Sequence, residues 1–183
     1  MKNSKSMLAA LVLATASFAA PTAHAADISN PPQALSLVGT SAFFGSSFAM
    51  NNNGDTFMDH FTLSITGTVP QSLDAIVSSI SRTASTGLDI TGLGLYSSGG
   101  SLITAGTMSS TGARDIWTLS ANSLAAGSYY LQVSGSLVSD TSGSFGGSVM
   151  LNPVPEPETY GLMLAGLGVV GMLVRRRKAA NET

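Results

Sequence analysis

There is no cysteine anywhere in the 183-residue chain. Disulfide frameworks, thiolate metal sites and thiol nucleophiles are therefore excluded together. Charge is nearly as scarce: Asp, Glu, Lys and Arg make up 10% of the residues, against about 25% in an ordinary soluble domain. Aromatic residues reach 7%, with one tryptophan, and histidine occurs twice. So little charge argues against a coiled coil, a charged disordered tail or a nucleic-acid binder, each of which is built on charge.

The charges that are present are sorted along the chain. Lys2 and Lys5 precede an apolar run from Met7 to Ala20, and Ala23-His24-Ala25 then puts small residues at the −3 and −1 positions before Ala26. A basic start, an apolar centre and an A-x-A ending predict a secretory signal peptide over 1–25, with signal peptidase as a partner. At the other end, Tyr160 to Val174 is uncharged and abuts Arg175, Arg176, Arg177 and Lys178. As a helix this stretch spans roughly 22 Å, against about 30 Å of hydrocarbon. The four cations form a stop-transfer and positive-inside signal, so a short transmembrane helix over 160–174 is expected, with the C-terminus cytoplasmic until processing.

Between body and helix stands Val154-Pro155-Glu156-Pro157-Glu158. Two prolines in three residues force an extended segment that a processing enzyme can bind along its backbone. This order of Pro155, Glu156 and Pro157, a short apolar helix and an arginine cluster resembles the PEP-CTERM sorting signal of Gram-negative bacteria, also labelled the ice-binding protein C-terminal domain. The resemblance covers about 152–180. It implies recognition by an exosortase, a membrane-embedded cysteine protease and transpeptidase that acts near the Pro-Glu-Pro. Delivery to the cell surface or an exopolysaccharide matrix is implied as well; affinity for ice is not.

Removing both ends leaves a body at 26–152, with the sorting domain at 153–180. The body holds Asp27, Asp55, Asp59, Asp74, Asp89, Asp115 and Asp140 against Arg82 and Arg114 alone. An acidic exported body should bind neither nucleic acid nor anionic lipid. From Phe57 to Val69 the odd positions are mostly apolar and the even ones mostly polar, the period of a half-buried strand. Similar runs occur at 34–40, 73–80, 88–96, 101–107, 115–120, 128–136 and 144–151, punctuated by Gly-containing turns such as Asn53-Gly54 and Ser98-Gly99-Gly100. Seven to nine such strands predict an all-β body, an antiparallel sandwich or jelly roll.

Two stretches of this body carry a further resemblance. Phe57-Met58-Asp59-His60-Phe61 has an F-x-D-x-F pattern, and residues 127–135 read GSYYLQVSG. Together with the tail they resemble the FxDxF family of PEP-CTERM proteins, which implies sorting and no particular biochemical activity.

Strand parity places Asp59 on the same face as Phe57 and Phe61, in the expected core. A carboxylate there needs donors or a counter-charge. Backbone N–H groups of a neighbouring loop, Arg82, Arg114 or a bound Ca²⁺ are the candidates. Asn51-Asn52-Asn53-Gly54-Asp55 offers alternating oxygens but lacks the Gly and Glu of an EF-hand, so it reads as a hairpin turn centred on Asn53-Gly54. Gly166 to Gly171 matches G-x-G-x-x-G inside the apolar tail, where no strand precedes it and no acid follows at the required distance. Once the signal peptide is removed, His60 is the single imidazole, on the polar face, and no G-x-S-x-G or H-E-x-x-H occurs. Trp117 and the Tyr129-Tyr130 pair are either a sugar-stacking platform or core, and parity assigns Trp117 and Tyr129 to the core, leaving Tyr130 exposed.

These readings predict an exported, non-enzymatic surface or matrix protein, without cofactor or dedicated metal, in contact with signal peptidase, exosortase, the membrane and exopolysaccharide. A carbohydrate- or calcium-binding module is the alternative.

Overall fold

In a computed structural model that describes residues 25–154 and 157–180, the alternating segments form two facing five-stranded sheets. The strands are β1 (Gln33–Ala34), β2 (Ser41–Phe48), β3 (Thr56–Ile65), β4 (Gln71–Ile80) and β5 (Leu88–Ser97). They continue as β6 (Leu102–Ala105), β7 (Thr107–Ser110), β8 (Arg114–Leu124), β9 (Gly127–Leu137) and β10 (Gly143–Pro153). The front sheet runs β1-β3-β9-β5-β6 and the back sheet β2-β10-β4-β8-β7. Within these, 3-9-5-6 facing 2-10-4-8 is the interleaved order of a jelly roll, in which successive strands mostly switch sheets. Every ladder is antiparallel except β1 on β3.

The period-two pattern carries through to packing. On β3, Phe57, Asp59, Phe61, Leu63 and Ile65 are buried while the residues between them are exposed or half-buried. Phe57 and Phe61 join Phe44, Phe48 and Phe145 in an aromatic cluster between the sheets. The Phe48 and Phe57 rings stack at 4.5 Å and Phe61 meets Phe145 edge-on at 6.1 Å. Each such fully buried ring contributes about 1.5–3 kcal/mol by leaving water. The rings need space that other residues must leave empty. A Cβ on Gly135 would sit 2.5 Å from the Phe57 ring, and one on Gly147 at the same distance from Phe44.

Three strand expectations are corrected. Residues 34–40 are strand only at Ala34, and the missed strand is β2. Its adjacent Phe43 and Phe44 point to opposite faces, 86% and 8% exposed, and Gly45-Ser46-Ser47 has the composition of a loop. The expected strand at 101–107 is split at Gly106, where β6 in the front sheet becomes β7 in the back sheet. A side chain there would collide with the Thr118 carbonyl and with Leu93, so the chain crosses the sandwich where it carries none. Finally, β3 ends at Ile65 rather than Val69, because Gly67 turns with φ +100°.

Residues 26–35 lie along the outer edge of β3 as a strap. Ile28 N–H donates to Thr56 O at 2.9 Å, Met58 N–H to Ser29 Oγ at 2.7 Å, and Leu35 N–H to Thr62 O at 2.8 Å. The strap thereby occupies backbone groups of an edge strand that would otherwise be open to pairing.

The helix α1 (Pro157–Ala180) follows β10 after a short link. Its described side chains are exposed throughout. Among the described residues, no helix is long and apolar enough to cross a membrane. The charge-free stretch of α1 runs over 159–174 and contains four glycines.

Candidate functional site

Within the body, three places bring polar or aromatic side chains together. The first is the buried acid of the F-x-D-x-F segment. Asp59 is 1% exposed, and its two carboxylate oxygens accept from Asn30, the backbone N–H at 2.7 Å and the side-chain amide at 3.3 Å. The donors come from the strap, not from Arg82 or Arg114, both of which are exposed. Asp59 therefore fastens the N-terminal strap to β3 and lies between two rings of the aromatic cluster. Among the described residues, no three His, Asp or Glu side chains gather as a metal site.

Asn53-Gly54 is a turn, with Gly54 at φ +87° and Asp55 N–H donating to Asn52 O at 3.0 Å. It is not the tip of a hairpin, because β2 and β3 lie in opposite sheets. The chain uses this turn to cross the sandwich.

The second place is a clamp between the sheets that the sequence reading missed. Asp115 on β8 is 1% exposed. Its Oδ2 accepts from Ser79 Oγ at 3.0 Å and from Ile90 N–H at 3.1 Å, while Oδ1 accepts from Gly112 N–H at 3.1 Å. Two residues on, Trp117 donates its indole N–H to Ile90 O at 2.9 Å. The β5–β9 register shifts between Ile90 and Gly92. Such a bulge frees backbone groups from the ladder, and here one donor and one acceptor of Ile90 are taken by side chains from the opposite sheet. The parity that pointed Trp117 inward applies equally to Asp115, and this was the available signal.

The third place is the outer face of the front sheet. Tyr130 on β9 stacks on Tyr96 of β5, with ring centroids 5.2 Å apart and planes within 5°. His60 on β3 meets Tyr130 at 4.7 Å and its Nε2 lies 3.1 Å from Gln132 Oε1. Tyr96 leans across Gly94, where a Cβ would be 2.7 Å from the ring. Three half-buried rings from three strands thus form one aromatic row beside an amide. Tyr129 points the other way, packs against the core and donates its hydroxyl to Ala125 O at 2.9 Å. On the outer face of the back sheet, Phe43, Ile76 and Met150 border a shallow trough of about 460 Å³.

At the C-terminal end, β10 closes with Pro153, and Val154 N–H donates to Pro70 O at 2.9 Å. Pro155 and Glu156 lie outside the described residues, as do Ala23 and most of the expected signal peptide; Pro157 opens α1. Ala25 and Ala26 are exposed at the start of the strap, and Arg175 is exposed on α1, whereas the side chains of Arg176, Arg177 and Lys178 are outside the description. The PEP-CTERM protein-sorting motif matches residues 153–178.

The chain carries this sorting motif. The match covers the tail and leaves the F-x-D-x-F body outside it. No curated protein matches the chain. Among solved structures, the pre-peptidase C-terminal domain of a collagenase from Bacillus anthracis is 16% identical. It covers 65% of this chain and 94% of its own, with a TM-score of 0.37.

Proposed function

We propose that this is an exported, non-catalytic protein of the FxDxF type, whose jelly-roll body an exosortase delivers to the cell surface or an exopolysaccharide matrix. The observation that carries the reading is the PEP-CTERM motif at 153–178, set directly after the last strand of a closed β body. The signal-peptide features of 1–25 bring the chain through the inner membrane. The Pro-Glu-Pro sequence, whose two prolines disfavour helix, is then the point at which the exosortase acts. The exposed helix α1 and its basic end supply the remainder of the recognition element. This reading needs the helix to reach a membrane-embedded enzyme, not to span a bilayer by itself. Replacing Glu156 by Ala and Pro155 and Pro157 by Ser should leave the body folded and abolish its surface retention. Normal retention of that variant contradicts the reading.

A second reading, a carbohydrate-binding module, is favoured by one observation, the Tyr96–Tyr130–His60 row with its adjacent Gln132. Aromatic surfaces bind the C–H faces of sugars while amide and hydroxyl groups take their hydroxyls. Tyr130→Ala should abolish retention by the host polysaccharide in affinity electrophoresis and barely change melting. Equal retention of both proteins contradicts this second reading.

A further inference from the structure

The strap begins with a contact that no sorting or export reading accounts for. The Ala26 backbone N–H donates to Asp55 Oδ1 at 2.7 Å, and the Ala26 carbonyl accepts from Thr56 N–H at 3.0 Å. Asp55 itself is held firmly: its carbonyl accepts from Leu137 N–H at 2.9 Å, and the neighbouring Gly54 N–H donates to Leu137 O at 2.8 Å. A half-buried carboxylate is therefore fixed against the nitrogen of the residue that follows the A-x-A sequence.

We propose that Asp55 is the docking site for the new α-ammonium group of Ala26, and that signal-peptide cleavage locks the strap onto the edge of β3. This rests on the cleavage reading of Ala23, Ala25 and Ala26. Hydrolysis of the Ala25–Ala26 bond consumes one water, leaves a carboxylate on Ala25 and leaves Ala26 with an –NH₃⁺ group. A single amide N–H facing Asp55 becomes a cation with three N–H donors at the same place. A hydrogen bond between a neutral donor and a carboxylate is thereby converted into a charge-assisted ion pair, the stronger kind.

The consequence is directional. Before cleavage, 26–35 continues into the leader, and its first anchor is a neutral hydrogen bond. After cleavage the same anchor is ionic, and the strap is held at both Asp55 and Asp59. The edge of β3, a template for unwanted pairing while uncovered, is closed most tightly only in the processed protein. Asp27, next in sequence, is not the partner: Ser29 hydroxyl and then backbone hydrogen bonds hold its carboxyl below the ordinary aspartate range.

The sequence supplies a clean assay. Lys2 and Lys5 leave with the signal peptide, and Lys178 belongs to the tail, so the body contains no lysine. The full-length gene is expressed in an exporting host, the protein recovered, its N-terminus read by mass spectrometry, and acylation of the α-amine timed at neutral pH on the N-terminal peptide. Asp55→Asn should react about two- to fivefold faster than the wild type, the range of an exposed ion pair. Asp27→Asn, with the same change in charge, should react like the wild type. Unfolding the wild type in urea should also accelerate it, a check independent of how any variant folds. An N-terminus other than Ala26 overturns both the cleavage reading and the lock. Ala26 at the N-terminus with equal rates in wild type and Asp55→Asn, equal acceleration by Asp27→Asn, or no acceleration in urea, overturns the lock alone.

Discussion

The Asp115 carboxylate on the back sheet accepts the Ile90 N–H of the front sheet at 3.1 Å, joining the two layers through a buried polar contact. Ser79 and Gly112 complete its donor set. Asp115→Ala would leave those donors without an acceptor inside the protein, at a cost of about 2–4 kcal/mol. Chemical denaturation should show a lower midpoint of that size. A variant as stable as the wild type would mean that water replaces the carboxylate.

Asp59 has a more local role. Its donors belong to the strap, so Asp59→Ala should cost about 1–3 kcal/mol and speed amide exchange at Asn30 and Met58. The interior amides of β9, such as Val133, should keep their relative protection. Unchanged exchange at Asn30 would contradict the anchoring role.

Asp89 makes stability depend on pH. Burial, and secondarily the Asp115 carboxylate, push its carboxyl above the ordinary aspartate value. The folded state then holds that proton more tightly than the unfolded state. Its contribution favours folding at low pH and is lost as pH rises from the ordinary value through the raised one. Asp89→Asn should raise the melting temperature at about pH 7 and leave it unchanged at about pH 3, below both values. An equal effect at the two pH values would contradict this assignment.

Gly135 tests the packing of the aromatic cluster. A methyl group there would lie 2.2 Å from the Asp89 carbonyl and 2.5 Å from the Phe57 ring. Gly135→Ala should cost about 1–3 kcal/mol through displaced backbone and rings, read as a shift in denaturation midpoint. A neutral result would show that Phe57 repacks freely.

The parts of the molecule that were legible in the sequence are those where one rule acts alone. Alternation located β3, β4, β5, β8, β9 and β10 because each buries one face. It failed at β2, where Phe43 is an exposed aromatic beside a buried one, and at Gly106, where a continuous run changes sheets. Parity placed Asp59 inward, but its choice of Asn30 over an arginine depends on a strap that shows no strand period of its own. The Asp115 clamp was hidden differently: its donors come from Ser79, Ile90 and Gly112, residues brought together only by the fold. In the tail, the order of Pro-Glu-Pro, apolar run and cations was readable directly, and the sorting motif matches it at 153–178.

The central claim is that both ends are removed and the body is what reaches the cell surface. An intact-mass measurement on the protein recovered from the surface of its exporting host tests it most directly. The predicted species begins at Ala26 and lacks Arg175 to Lys178. A surface form whose mass includes that arginine cluster would contradict the account.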